Sequence, residues 1–146
     1  MLRDLGDLRP DRVGRALVEA GAATAAPTEV KVEPLAEGAG FLGTLARIRL
    51  TWPEGAEGPA SLVAKLPTSV PENREIVDRF GYDRREAGVY RDLRPWERTS
   101  SPRAVAQGWA DATGRGWLLL EDLAELAPPR AVDGATDDQA LAAVEA

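Results

Sequence analysis

Three glycines in EGAGFLGT (Gly38, Gly40 and Gly43), a lysine inside the apolar run SLVAKLP (Lys65) and a glutamate in REAGVYRDL (Glu86) have the types and order to act on a phosphate. Glycine backbone has no Cβ to keep a polyphosphate away from the peptide amides. A lysine is a compact cation for phosphate oxygens, and a carboxylate behind it would hold the ammonium in place. Each residue also has a plain structural reading. A lone G-x-G-x-x-G is a weak signal that fits a dinucleotide loop, a phosphate-covering loop between strands, or a flexible turn. Lys65 alone suits an edge strand that uses charge to block aggregation, and Glu86 alone suits a stripe-edge carboxylate reaching water. Two features favour pairing them. Only two of the eighteen basic residues are lysines, so routine positive charge is carried by arginine. Glu86 continues an apolar helical stripe with Val89, Tyr90 and Leu93, where an unpaired carboxylate would cost several kcal/mol, on the order of the penalty for a buried charge.

The elements that must position these residues follow from periodicity. RPDRVGRALVEAG predicts a helix with Val13, Ala16, Leu17 and Ala20 on one face, Pro10 near its start and Gly21 at its stop. A strand is expected over Val30 to Leu35, just before the glycines. TLARIRLTW alternates, with Leu45, Arg47 and Arg49 on one side and Ala46, Ile48 and Leu50 on the other, which predicts a second strand. PEGAEGP reads as a hairpin loop and ASLVAKLP as a third strand. The meander places the glycines between two strands, whereas a dinucleotide fingerprint must open a helix that receives the pyrophosphate. ENREIVDRFGYDRREAGVYRDL predicts helix, bent or broken at Gly81. SPRAVAQGWADATGRGWLLLEDL predicts two strands around DATGRG. ELAPPRAVDG reads as a linker, and TDDQALAAVEA starts a helix with a Thr136–Gln139 capping box.

Glycine loop between strands, apolar strand with one lysine, helix with one inward glutamate: that order is the ATP-binding half of a kinase fold. EGAGFLGTLARIRLTW, SLVAKLPT, REAGVYRDL, SPRAVAQG and WLLLEDL resemble the N-terminal lobe of the aminoglycoside phosphotransferase and choline kinase superfamily. The resemblance is closest to the ecdysteroid-kinase-like small-molecule phosphotransferases. It covers roughly residues 28 to 124 and the helix after the linker. It implies an α+β fold: a kinase-like lobe with an antiparallel sheet of about five strands, a packed helix carrying Glu86, an N-terminal helix, and the start of a C-terminal-lobe helix. The lobe and hinge would span residues 1–134, and 135–146 would be the first turns of the second lobe. By this resemblance Gly38, Gly40 and Gly43 cover the phosphates of ATP, Lys65 holds them, and Glu86 holds Lys65. Leu45 and Val63 pack on the adenine, and backbone near Glu121 and Leu123 meets its edge. For the Glu121 and Asp122 carboxylates, a solvated strand end stands as the plain alternative.

Phosphoryl transfer also needs a carboxylate for the acceptor hydroxyl and ligands for Mg²⁺, which this superfamily places in a D-x-x-x-x-N loop and a later aspartate. The sequence has a single asparagine, Asn73, and Thr68 stands five positions before it. The catalytic loop is therefore not in this sequence, and the final helix, broken off after about three turns, reads as the start of a missing lobe. The acids of DGATDD suit a helix start better than a metal site. The chain is expected to be inactive alone, with Mg²⁺ ligands and the small-molecule acceptor pocket in the second lobe, and with an exposed lobe interface favouring self-association. The alternative is a stand-alone, non-catalytic binding or regulatory module derived from a kinase lobe.

Composition narrows the rest. The chain has 146 residues, no cysteine and no histidine, which excludes disulfides, thiolate or imidazole metal sites and histidine-dependent triads. A formal charge of −6 argues against a nucleic-acid partner. The charged opening MLRDLGDLRPDR lacks an apolar leader, and no run approaches the roughly 18 residues of a membrane span, so no membrane partner and a cytoplasmic location are expected.

Overall fold

The computed structural model describes residues 1–35, 42–92, 102–109, 115–124 and 135–145. It is an α+β fold built on one five-stranded antiparallel sheet with four α-helices among the described residues. In chain order these are α1 (Pro10–Glu19), β1 (Glu29–Pro34), β2 (Gly43–Thr51), β3 (Ser61–Pro67), α2 (Pro71–Phe80), α3 (Tyr82–Asp92), β4 (Ala104–Trp109), β5 (Gly116–Glu121) and α4 (Asp137–Glu145). The strand order is β1-β2-β3-β5-β4, so β3 is the centre strand. That position removes the edge-strand reading of Lys65, because both sides of β3 are hydrogen-bonded.

Strand alternation sorts the side chains to two faces. On one, Ala46, Ile48, Leu62, Ala64, Leu66, Ala106, Trp117 and Leu119 form a core with Val13 and Leu17 of α1 and with Leu2 and Leu8 before it. Burying each of these leucines stabilises the fold by about 2–3 kcal/mol. On the other face Ala104, Leu118 and Leu120 form a smaller cluster against which Val63 and Tyr90 pack. A β-bulge between Ala104 and Ala106 lets two residues of the same parity bury on opposite faces.

The N-terminal helix runs as its periodicity predicts, except that Ala20 is exposed and Gly14 is buried in its place. The bend or break expected at Gly81 is a full break. Gly81 stands at φ 61°, a left-handed conformation that glycine takes without Cβ strain, and it separates α2 from α3. Within α3 it is Ala87 that turns to the sheet, and Val89, two residues on, lies about 200° around the helix from it. Ala87 is buried and Tyr90 half-buried, but Val89 is 52% exposed, so it does not share the inward face with Glu86. Leu93 lies outside the described residues, as do the DATGRG turn up to Gly114 and the linker ELAPPRAVDG. The capping box of α4 forms: Gln139 N–H donates to Thr136 Oγ1 (3.3 Å), and Thr136 N–H donates to Gln139 Oε1 (2.9 Å). Among the described residues no helix is long and apolar enough to cross a membrane.

Candidate functional site

β1 and β2 are antiparallel neighbours, paired from Glu29↔Thr51 to Pro34↔Ala46, and the Leu35 amide donates to the Leu45 carbonyl at 3.1 Å. The glycine motif thus connects two antiparallel strands, which a β-α-β dinucleotide unit cannot do. Gly38 and Gly40 lie outside the described residues. Gly43 opens β2 opposite Pro67. A Cβ on it would stand 3.0 Å from the Leu66 carbonyl oxygen and 3.5 Å from Cε of Lys65, so the third glycine lies directly on the lysine stem.

The register then assembles a row across the sheet: Leu45 of β2 faces Lys65 of β3, Lys65 faces Leu118 of β5, and Leu118 faces Gln107 of β4. Val63 stands two residues from Lys65 on the same side, half-buried against the Leu118–Leu120 cluster. This is the side covered by α3. Lys65 Nζ donates to Glu86 Oε1 at 2.6 Å, joining the centre strand to the helix. The pair is neither sealed nor free, with side chains 29% and 34% exposed. The ammonium is held at a defined point in a side chain that is not sealed from solvent.

A second acid shares the helix face. Asp83 precedes Glu86 by three residues, and its Oδ2 is buried with no hydrogen-bond partner among the described residues. Burial pushes its carboxyl up to about 6, reinforced by Glu86 and Asp78 and opposed by Lys65 and Arg115. Asp78, near the end of α2, is bound in two-pronged fashion by Arg115, with Nε to Oδ1 at 3.1 Å and Nη2 to Oδ2 at 3.0 Å. Burial, then the Glu86 charge, also raises the Tyr90 phenol. The α2–α3 corner encloses an open cavity of about 440 Å³ beside this group, lined by Asp78, Phe80, Asp83, Arg84 and Arg115 among others.

At the far end of the site the solvated-strand-end reading holds for Glu121 and fails for Asp122. Glu121 is exposed; its amide donates to the Arg103 carbonyl at 2.9 Å, and its carboxylate Oε2 accepts from the Arg103 amide at 3.3 Å at the surface. The Asp122 side chain is only 6% exposed and gathers three donors: Arg47 Nε and Ser61 Oγ to Oδ2, both at 2.8 Å, and the Ala124 amide to Oδ1 at 3.1 Å. Burial alone would raise its carboxyl, but those hydrogen bonds outweigh it and hold it below the usual carboxylate range. Asp122 thereby ties the segment leaving β5, where half-buried Leu123 sits, to β2 and β3. The available signal was Arg47, a mid-strand arginine on the Leu45 side with no acid nearby in sequence.

Gly43, Leu45, Val63, Lys65 and Glu86 therefore converge on the α3 side of the sheet, and Glu121 and Leu123 stand at the end of β5. Asp83 is an addition that periodicity did not single out, and Asp122, considered in sequence beside a solvated strand end, is a buried anchor instead. Among the described residues no cluster of three or more acids forms that could hold a metal ion. Comparisons of the chain with protein-family models, curated proteins and solved structures found no match.

Proposed function

We propose that this chain is the nucleotide-binding lobe of an ATP-dependent phosphotransferase that acts on a hydroxyl of a small molecule, with the kinase-like lobe architecture outlined above. The observation that carries this reading is the 2.6 Å contact between Lys65 of the centre strand and Glu86 of the helix beneath it, with Gly43 packed on the lysine stem. A structural ion pair alone does not need the glycine-bearing connection to end on the lysine. A phosphate clamp does, because the ligand must reach both the loop amides and the ammonium. Bound Mg·ATP would supply the phosphoryl group. Lys65 would hold its phosphates, Glu86 would fix Lys65, Leu45 and Val63 would contact the base, and main chain at Glu121 and Leu123 would meet its edge. The acceptor-positioning carboxylate and the Mg²⁺ ligands have no counterpart in this sequence, so no turnover is expected from this chain by itself.

The test is the thermal midpoint with and without millimolar Mg·ATP, for the wild type and Lys65→Ala. Ligand at a hundredfold its Kd adds about 2.7 kcal/mol, a rise of several degrees in a domain of this size. A rise that Lys65→Ala abolishes supports the clamp. A rise of equal size in both proteins, or none in either, rejects it.

A further inference from the structure

Charge on the α3 side of the sheet is not balanced around Lys65. Glu86 already occupies the ammonium, and Asp78 is satisfied by Arg115. Asp83 is a second carboxylate on the same helix face, and no hydrogen bond from the described residues reaches its buried Oδ2. On the sheet, Gln107 Oε1 is likewise buried without a partner among the described residues, in the row that runs through Leu118 to Lys65. The start of α3 packs closely on the sheet here. The Asp83 carbonyl oxygen stands only 3.2 Å, and the Ala87 Cβ 3.4 Å, from where a Cβ on Gly116 would lie. A buried carboxylate oxygen without a donor favours the protonated acid, so a proton on Asp83 relieves its own Oδ2.

We propose that Asp83 is a positioning residue for Lys65: protonated, it leaves the ammonium to Glu86 alone, and ionised, it competes with Glu86 for that ammonium and adds a negative charge where an anionic ligand must arrive. The proton on Asp83 thus sets how well Lys65 can hold a phosphate. The charged groups that face Asp83 are Glu86 on its own helix, Asp78 from α2, Lys65 from β3 and Arg115 just before β5. The carboxyl titrates near 6 for the reasons of burial and neighbouring charge given above, so the exchange falls close to neutral pH.

The mechanism of coupling stands without any ligand, whereas its consequence for phosphate rests on the proposed nucleotide reading. Two measurements keep these apart. The first follows the Asp83 carboxyl carbon and the Lys65 Nζ nitrogen by NMR in the whole chain from pH 4.5 to 8. The expected result is a Lys65 resonance that moves with the Asp83 midpoint and loses that step in Asp83→Asn. A Lys65 resonance that ignores the Asp83 titration overturns the proposal, and the wild-type titration decides this even if the variant folds poorly. The second compares Mg·ATP affinity of wild type and Asp83→Asn at the same pH, so that titration of the ligand cancels. The variant, an always-neutral mimic, is expected to bind about fivefold tighter at pH 7.5 and equally at pH 5, as one nearby unit charge would dictate. Equal affinity at both pH values overturns the proposal. Absence of ATP binding in both proteins rejects the nucleotide reading, and the coupling is then decided by the NMR titration.

Discussion

Asp122 and Lys65 are both charged residues on strands, yet they contribute to stability very differently. Lys65 and Glu86 are each about one-third exposed, so their ion pair is screened and contributes at most about 1 kcal/mol to folding. Lys65→Met is therefore expected to fold with a denaturation midpoint close to wild type. A loss of more than about 2 kcal/mol in urea titration would show instead that the pair is structural. Asp122 is nearly buried and takes three hydrogen bonds. Removing it in Asp122→Ala strands the Arg47 guanidinium and the Ser61 hydroxyl, at an expected cost of about 3 kcal/mol. Its carboxyl is held low in the folded state, so its contribution is complete above the unfolded value, about 4, and is lost as pH falls through the folded one. The stability gap between wild type and Asp122→Asn should accordingly be widest at neutral pH and close in acid, as thermal melts across pH would show. Asp83 has the opposite sign. Its raised value stabilises the fold at low pH, and that contribution is lost as pH rises from about 4 to about 6. Asp83→Asn should thus gain on wild type above pH 6 and match it near pH 4.

Among the elements, the rotation of α3 decides which residues meet the sheet. Helical periodicity groups Glu86 with Val89, whereas α3 buries Ala87, with Asp83, Glu86 and Tyr90 half-buried around it and Val89 exposed. Gly81→Ala must place a Cβ in that conformation and is expected to cost about 1 kcal/mol. If the break also sets the rotation of α3, the same substitution should shift the Lys65 Nζ and Glu86 carboxyl resonances. A chemical-shift map confined to the α2–α3 turn would show that α3 is oriented by its packing on Gly116 alone. The β4 bulge is a second element-level device, since it buries Ala104 under α3 and Ala106 against the opposite core.

The whole molecule is a sheet covered on both faces, and the larger core depends on the first residues of the chain. Leu2 and Leu8 are as buried as Val13 and Leu17. Removing residues 1–9 should uncover the sheet and abolish the cooperative thermal transition. A truncated chain that melts like wild type would show that α1 alone seals that face. At this scale the division between sequence and tertiary structure is clear. Strand alternation, the N-terminal helix, the capping box and the antiparallel meander were legible in sequence, because each is set by side-chain period and local turn chemistry over fewer than about a dozen residues. The candidate pair was legible for the same reason: a lone lysine in an apolar strand and a glutamate among apolar helical positions each pose a local problem that the other solves. The rest required the fold. That β3 is central, that Arg47 reaches Asp122 across 75 positions, that Val89 turns outward, and that Asp83 Oδ2 and Gln107 Oε1 find no hydrogen bond among the described residues depend on strand order and on the rotation of α3. Those are set by packing between elements distant in sequence, which no local period encodes.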